Sequence, residues 1–427
     1  MRRFFVFLSL MLLPIALMAQ DTLTVMQYNL LEYGNYQSGF AHCDETSNNT
    51  QHKDECIRTI LDLVKPDIFT VCEFGATDRL QSDFLRHNLN VASSINYWKT
   101  DDIKNYAGSN IINHIFYDSR KMELKKHVAL RTSPRDTDVY ELYLKTSSLI
   151  AGDTIKLVCI VVHPKADSYG VSYESSRLAT METIMDYVGE HYSDENVLVM
   201  GDFNMYRASE SGYQWLTQNY PNGDALFVDP LAHLGGVGEW NNLPEFAPFH
   251  TQSTRSPNTD CFSSGGLDDR FDFILISDEI YHGYNKLKYI DRTYKAVGND
   301  GNHFNQSINQ NTNTAVSAEV AQALYDASDH LPVTMKIRVF DNLGVEESTM
   351  AELLVYPNPT SGMITVETCR EVPQQEYRVF NMMGQQLLSG TISSMSQTID
   401  VSHLSNGLYF ISVNGLTKKF VKSTAVR

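Results

Sequence analysis

The sequence predicts an α/β fold of stacked β-sheets with helical flanks, followed by a small β-sandwich. Three observations carry that expectation. Residues 22–340 alternate apolar, strand-like runs with stretches of helical spacing, the pattern of sheets covered by helices. A polar, aperiodic segment, DNLGVEESTM (341–350), then reads as a linker. Beyond it come short strands separated by Pro, Gly and Asn turns. The 427 residues allow two or three domains at roughly 100–200 residues each.

In order, the first strand opens at Leu23 and Val25 and runs to Leu31. In HKDECIRTILDLVKP, Ile57, Ile60, Leu61 and Val64 fall at helical spacing, and Pro66 ends the helix. IFTVCE (68–73), IINHIFYD (111–118) and IKLVCIVVH (155–163) are strands. Leu178, Met181, Met185 and Val188 mark a second amphipathic helix. NVLVM (196–200) is an apolar strand ending at Gly201, and FDFILI (271–276) and VTMKIRV (333–339) close the set. Residues 299–314 carry six Asn and two Gln without an apolar period, which predicts a long loop, functional or disordered. In the last region, LLVYPNPTSGMITVE, YRVFNMMGQQLL, QTIDVSHLSNGLYFISV and KKFVKS read as strands of a sandwich of roughly 75 residues.

Residues 1–20 have the build of a secretory signal peptide. Arg2 and Arg3 precede an apolar run from Phe4 to Met18, and Ala19 suits cleavage. The run is short for a membrane span, and no later stretch is apolar for long enough. Export permits disulfides. Cys72 and Cys159 sit in apolar strands and read as buried small hydrophobes, whereas Cys43 and Cys56 flank a polar loop and are the candidate bridge. No Cys/His cluster with zinc-finger spacing is present.

The chain carries 34 Lys and Arg against 51 Asp and Glu, a net charge of −17. That field disfavours a passive nucleic-acid coat, but it leaves open an enzyme that meets phosphate through a bound dication. Several strand ends deliver polar residues: Asn29, Glu73, His163, Asp202 with Asn204, and Asp329 with His330 just ahead of the last strand. Singly, each has a bland explanation as a turn residue, a cap or a satisfied core histidine. Asp272 is harder to dismiss. A carboxylate between Phe271 and Phe273 on a core strand needs a partner, and a histidine is a natural one. Together, acidic groups and amides suit a hard cation such as Mg²⁺ or Mn²⁺, a His–Asp pair suits a water-activating base, and a second His suits a charge stabiliser. No Ser or Cys nucleophile motif and no Lys-bearing phosphate loop appears.

The segments QYNLLEYG, KPDIFTVCE, VVHPKA, GDFN, RFDFIL and SDHLPV occur in this order over 23–339. They resemble the endonuclease/exonuclease/phosphatase superfamily. The resemblance implies a four-layer α/β sandwich of the DNase I-like kind over residues 21–340, with a divalent-metal site (Mg²⁺, or Mn²⁺ or Ca²⁺) at one end. It makes Glu73 the main metal ligand, with Asn29 and Asp329 nearby. His330 becomes the general base, oriented by Asp272. Asp202 and Asn204 hold the attacking water, the phosphate or a second ion, and His163 neutralises the phosphorane. Asn110 lies where several members place a phosphate-contacting side chain. The further acid that orients the first histidine in the deoxyribonucleases of this family is not identifiable.

Residues 351–427, through Tyr356–Pro359, Gly362, Phe380–Gly384, Leu404, Gly407, Tyr409 and Lys419, resemble the C-terminal sorting domain of type IX secretion. That resemblance implies handling by the type IX machinery and a secreted or outer-membrane-surface location; a generic Ig-like binding module is the alternative. The function expected of the whole is a secreted, metal-dependent phosphoesterase, first of all a nuclease acting on extracellular nucleic acid. The alternatives are a sphingomyelinase-like phospholipase C or a phosphomonoesterase, and a non-catalytic surface binding protein. The lipid reading wants an exposed apolar hairpin, and none stands out, although GGVGEWNNLPEFAPF (235–249) sets Trp240, Phe246 and Phe249 in a loop-like stretch.

Overall fold

The computed structural model describes residues 22–423, save 37–43, 93, 147–148, 150–151, 153, 169, 219–226, 259–260, 341–353, 368–374, 383, 395 and 414–415. The expected signal peptide (1–20) and linker (341–350), with Cys43 and Cys369, therefore lie outside the described residues.

Two sheets form the larger unit. The first is built from β1 (Thr22–Tyr33), β2 (Ile68–Gly75), β3 (Trp98–Lys99), β4 (Ile111–Asp118), β11 (Leu287–Tyr289), β12 (Lys295–Ala296) and β13 (Val333–Val339). The second contains β5 (Met122–Leu130), β6 (Thr137–Leu144), β7 (Lys156–Val162), β8 (Val197–Asp202), β9 (Phe227–Val228) and β10 (Asp272–Ser277). Strand order is β11-β13-β1-β2-β4-β3 in one, with β12 paired to β13, and β5-β6-β7-β8-β10-β9 in the other.

The alternation of side chains along strands buried on both faces separates three cores. Val25, Ile68, Ile115, Leu157, Cys159, Leu198, Ile274 and Met335 meet between the sheets. Met26, Tyr28, Phe69, Val71 and Phe116 face outward from the first sheet and are covered by Ile57, Ile60 and Leu61 of α1 (Thr50–Val64) and by Ala323, Leu324 and Ala327 of α6 (Ala318–Ala327). Val158, Ile160, Val199, Phe273 and Leu275 face outward from the second sheet, under Met181, Ile184, Met185 and Val188 of α3 (Glu174–His191) and Tyr213 and Leu216 of α4 (Ser211–Thr217). Helix, sheet, sheet and helix make four layers. Local signals set the helix ends: Asn49 accepts from His52 N at the start of α1, and Lys65 adopts a left-handed cap ahead of Pro66.

One consequence of the strand directions positions the site. β1 and β2 are parallel, as are β7 and β8, whereas β13 runs antiparallel to β1 and β10 antiparallel to β8. The carboxyl ends of β1, β2, β7 and β8 and the amino ends of β10 and β13 therefore share one edge of the sandwich.

One expectation is corrected, and the 235–249 stretch is no membrane dock through Trp240. Cys56 is a buried free thiol, so the bridge to Cys43 is not made, and Cys261 is instead disulfide-bonded. The helical setting explains it: Cys56 points inward from α1 with Ile57 and Ile60 rather than toward the polar loop. Trp240 is fully buried, its indole donating to Met205 O at 2.9 Å and its ring edge-on to Tyr213 and Phe273. It is core to the outer face of the second sheet, and the 235–249 loop does not offer it to a membrane. The 299–314 segment is a loop closed by its own polar groups. Asn299 donates to Ala247 O and His250 O, Asn313 donates to Gly298 O, and Asp300 accepts from Thr314 N and pairs with His303.

The C-terminal unit is a small antiparallel β-sandwich. β14 (Leu354–Tyr356), β15 (Met363–Glu367) and β18 (Ser396–Asp400) form one sheet; β16 (Gln375–Asn381), β17 (Gln386–Ile392), β19 (Gly407–Val413) and β20 (Leu416–Lys422) form the other. Ile364, Val366, Val379, Ile399, Ile411, Val413 and Phe420 fill the core between them. Among the described residues, no helix is long and apolar enough to cross a membrane.

Candidate active site

The shared strand edge brings the separated polar residues together. Asn29, at the point where β1 and β2 diverge, donates from Nδ2 to Glu73 Oε1 at 3.0 Å and to Asp202 Oδ2 at 2.9 Å. His163, the first residue after β7, places Nε2 at 3.4 Å from Asp202 Oδ2 and 3.8 Å from Glu73 Oε1. His330 Nε2 lies 3.4 Å from Asn29 Nδ2 and 3.7 Å from Asp202 Oδ2. On its other side, His330 Nδ1 pairs with Asp272 Oδ2 at 2.7 Å. Asp272 faces Asp202 in the β8–β10 ladder, so the two carboxylates come from paired positions.

The backbone is bent to aim these groups. Glu73 and Asn204 hold φ of 55° and 52°, left-handed values that cost a non-glycine residue of order ~1–3 kcal/mol and collect at functional sites. Leu31 and Glu32, at φ 45° and 49°, form the bulge that follows Asn29. Lys53 of α1 holds that bulge from below, donating from Nζ to Leu30 O at 2.7 Å and Leu31 O at 2.6 Å. Glycine at 201 is obligatory, because a Cβ there would meet Val162 O at 1.8 Å. The close approach of β7 and β8 is what sets His163 beside Asp202.

Asp329 lies beside His330 and outside the Glu73–His163–Asp202 group: its Oδ2 accepts from Ser263 N at 3.0 Å and lies 3.4 Å from Gln252 Nε2. Asn204 caps the turn, its backbone N–H donating to Asp202 Oδ1 and its amide to Pro164 O. Asn110 stands at the same end of the sheet, exposed, with its carbonyl accepting from Ala76 N, and no contact joins its side chain to the cluster.

Three neighbours escape a reading of the sequence. Gln252 Nε2 lies 2.7 Å from His330 Nε2, the nitrogen left open by Asp272. Thr251 Oγ1 accepts from the backbone N–H groups of Phe271 and Asp272 and fixes the start of β10. Arg135 donates to His163 O and Pro164 O and brings a cation to the cluster. Gln252 and Thr251 sit in a loop with no motif around them. Arg135 lies in the turn between β5 and β6, and nothing in the local spacing links it to His163.

The electrostatics follow from packing many acids into a dry edge. Burial pushes the Asp202 carboxyl up to about 7; Asp272 and Glu73 add to the rise, while His330 opposes it. Burial alone would depress His330, but Asp272 and Asp202 outweigh it and hold the imidazolium well above its ordinary range. Burial, Arg135 and His330 hold His163 well below that range, which makes it a neutral imidazole. Burial, and next Glu73, push Glu32 up to about 7. An excess of buried negative charge is the signature of a place that accepts a cation.

The residues fit a hard dication. Glu73, His163 and Asp202 each offer a donor atom, all within 4.8 Å of one another. Asp272 Oδ1 and Asp329 Oδ1 are buried oxygens without a hydrogen-bond partner, an expensive state for a carboxylate. Beside the cluster opens a cleft lined by Asp167, Glu174, Arg177, Tyr206, Glu210 and Glu239. Arg177 pairs with Asp167 at 2.7 Å and Glu210 at 2.9 Å, and Arg207, also in the lining, lies 3.9 Å from Glu174, so four carboxylates face two guanidinium groups and the cleft keeps a net negative charge.

Residues 354–427 match a family model described as the secretion system C-terminal sorting domain. The chain ends in a sorting domain. No curated protein matches the sequence. Among solved structures, the chain is similar to humanized TDP2 of D. rerio, at 13% identity over 74% of this chain and 99% of that one, TM-score 0.44. It is similar to an endonuclease/exonuclease/phosphatase family protein from Bacteroides thetaiotaomicron, at 15% identity over 76% and 100%, TM-score 0.45. It is also similar to a mannosyl-6-phosphatase of that organism, at 15% identity over 74% and 100%, TM-score 0.44. The functional reading that follows rests on the side chains rather than on these likenesses.

Proposed function

We propose that the protein is an exported phosphoester hydrolase that works with a divalent cation and a histidine-activated water. One observation supports this above all. Glu73, Asp202 and His163 converge on one spot, and the second nitrogen of an Asp-paired histidine, His330, faces the same spot with only the neutral Gln252 amide against it. In this reading the Asp272 carboxylate keeps a proton on His330 Nδ1, a cation held by Asp202 would offset the negative charge that otherwise favours the imidazolium, and Nε2 would then take a proton from water. Asp272 also stabilises the imidazolium that results. Glu73 and Asp202 would hold the cation, with Asn29 and Asp329 at its margin; Mg²⁺ suits the oxygen-rich set. When bound, such an ion polarises the phosphoryl oxygen and offsets developing charge. His163, held neutral, donates a hydrogen bond to a phosphoryl oxygen, and Arg135 behind it supplies fixed positive charge. Asn204 and Asp202 position the water or the phosphate, and Asn110 marks the rim. Export follows from the sorting domain, with residues 1–20 as the signal peptide and type IX secretion as the route to the surface or the medium.

Nucleic acid is the first substrate to test, as the sequence motifs suggest. The acidic cleft favours a second reading. The excess of carboxylates over arginines in its lining, with Glu239 outside those pairs, disfavours the flanking phosphates of a strand and suits a small phosphoester whose alcohol is cationic or rich in hydroxyl groups. A panel of plasmid DNA, RNA, sphingomyelin vesicles, sugar phosphates and aryl phosphodiesters, each with Mg²⁺ or EDTA, separates the two readings. Product release that EDTA abolishes and His330→Ala removes is the expected result. Activity unchanged by either would overturn the hydrolase reading, as would silence on every substrate.

A further inference from the structure

On the outer side of the first sheet, where α1 meets α6, a second group of metal-ligating side chains lies apart from the active site. His52 and Cys56 are one turn apart on α1 and so share a face. Asp326, in the last turn of α6, faces them. His52 Nε2 lies 3.5 Å from Asp326 Oδ2 and 3.8 Å from Cys56 Sγ. All three donor atoms lie within 4.8 Å of one another. A tetrahedral zinc ion, with Zn–N and Zn–O of ~2.0 Å and Zn–S of ~2.3 Å, requires edges of about 3.3 Å between N and O and about 3.5 Å between N and S. The two measured edges therefore exceed the ideal by only about 0.2–0.3 Å, an amount that side-chain rotation absorbs.

The surroundings are those of a ligand set. His52 Nδ1 faces Glu55 Oε2 at 4.0 Å, which leaves Nε2 for the cluster; a carboxylate on the far nitrogen is the usual support of a metal-bound histidine. Asp326 is held in place at both oxygens: Gln322 Nε2 donates to Oδ2 at 2.8 Å, a bond that oxygen can keep on a second lone pair while facing the ion, and the Arg255 guanidinium lies 3.7 Å from Oδ1. Cys56 keeps a free thiol in a chain that forms a disulfide at Cys261. Burial and the Asp326 and Glu55 carboxylates push that thiol up to about 11, and this concentration of negative charge is what a dication relieves. His52 is exposed, so an ion has a path in and room for a water in the fourth position.

We propose that His52, Cys56 and Asp326 bind zinc and pin α1 to α6. The N, S and O donors select a borderline-soft ion, in contrast to the oxygen-rich set at Glu73. The clamp sits beneath the catalytic edge without reaching it. α6 runs directly into Ser328, Asp329 and His330, and α1 carries the Lys53 that grips the bulge after Asn29. The ion thus stabilises the frame on which two halves of the active site hang.

Co²⁺, a spectroscopic stand-in for zinc, tests this on the full-length protein. In a Glu73→Gln background, which weakens the active-site metal position, one equivalent of Co²⁺ is expected to give a thiolate-to-cobalt charge-transfer band that Zn²⁺ abolishes. The band is expected to vanish in Cys56→Ser and in His52→Ala, the latter at an exposed position that does not threaten folding. Zn²⁺ is expected to raise the melting temperature by several degrees in that background and to have no such effect once His52 is removed. Absence of any thiolate–cobalt band, or a band or zinc-induced shift that survives His52→Ala, would overturn the proposal. Neither readout depends on phosphoesterase activity.

Discussion

Two histidines in the larger unit are buried among carboxylates, and the molecule uses them in opposite ways. His127 is closed at both ring nitrogens, with Nδ1 2.9 Å from Asp101 and Nε2 2.9 Å from Asp138, and its face stacks on Tyr140 at 4.3 Å. His330 is closed at one: Asp272 takes Nδ1 at 2.7 Å, while Nε2 looks toward Asp202, Asn29 and the Gln252 amide. Burial hardly differs, since the two side chains are 1% and 3% exposed. Histidine beside aspartate in a core is therefore not in itself a sign of catalysis. What distinguishes His330 is that its second nitrogen meets the neutral Gln252 amide in place of a second carboxylate and is turned toward the Asn29–Asp202 cluster.

The comparison breaks most sharply on activity. His330→Ala is expected to lower turnover by ~10²–10⁴ with little loss of stability, measured by steady-state rates and by the melting temperature. His127→Ala is expected to do the reverse. It strands two carboxylates, one of them deeply buried, and should cost about 3 kcal/mol in urea denaturation while leaving the rate per folded molecule within a few-fold. Equal losses of rate in both variants would erase the distinction. Glu73→Gln comes next, with a ~10–100-fold weaker dependence on Mg²⁺ seen in a rate-against-metal titration. Gln252→Ala, which uncovers His330 Nε2, is expected to change kcat by only a few-fold while shifting the pH profile of kcat. An unchanged profile would remove Gln252 from the site.

A third buried titratable group, Lys53, gives the smallest effect and a different signature. Burial holds its ammonium down to about 7, from an ordinary 10.5. Between those values the folded chain binds fewer protons than the unfolded chain, so stability rises with pH across that window and the full cost of burying the charge is felt below it. Lys53→Met has no proton to lose and should flatten the rise. The check is the difference in urea midpoint between pH 7 and pH 9, compared in the two proteins.

How much could be read in advance depended on whether a signal was local. The strands 111–118 and 333–339 agree with the expected bounds to the residue, because an apolar run between turn residues is a one-dimensional pattern. α6 went unread although Ser317 caps it and Ala321, Leu324 and Ala327 recur at helical spacing; its alanines give a weak apolar period, and it follows an asparagine-rich loop. β5 and β6 were missed for a related reason: His127, Asp138 and Glu141 break their apolar runs with charges that only the pairing across the sheet satisfies. In the site, strand-end motifs announced Asn29, Glu73, Asp202 and His330. Gln252 and Arg135 reach the same spot from loops, and their role exists only once the chain is folded. Cys56 was misjudged because the flanking loop looked polar, whereas the helix turns that sulfur inward.

The common edge on which six strand termini meet has a practical corollary. The segments 235–249 and 299–314 are tied into the apolar layers by Trp240 and Ile308, both fully buried, so exchanging either one whole would open the core. Any graft meant to retarget the proposed hydrolase would have to keep both of these anchors in place.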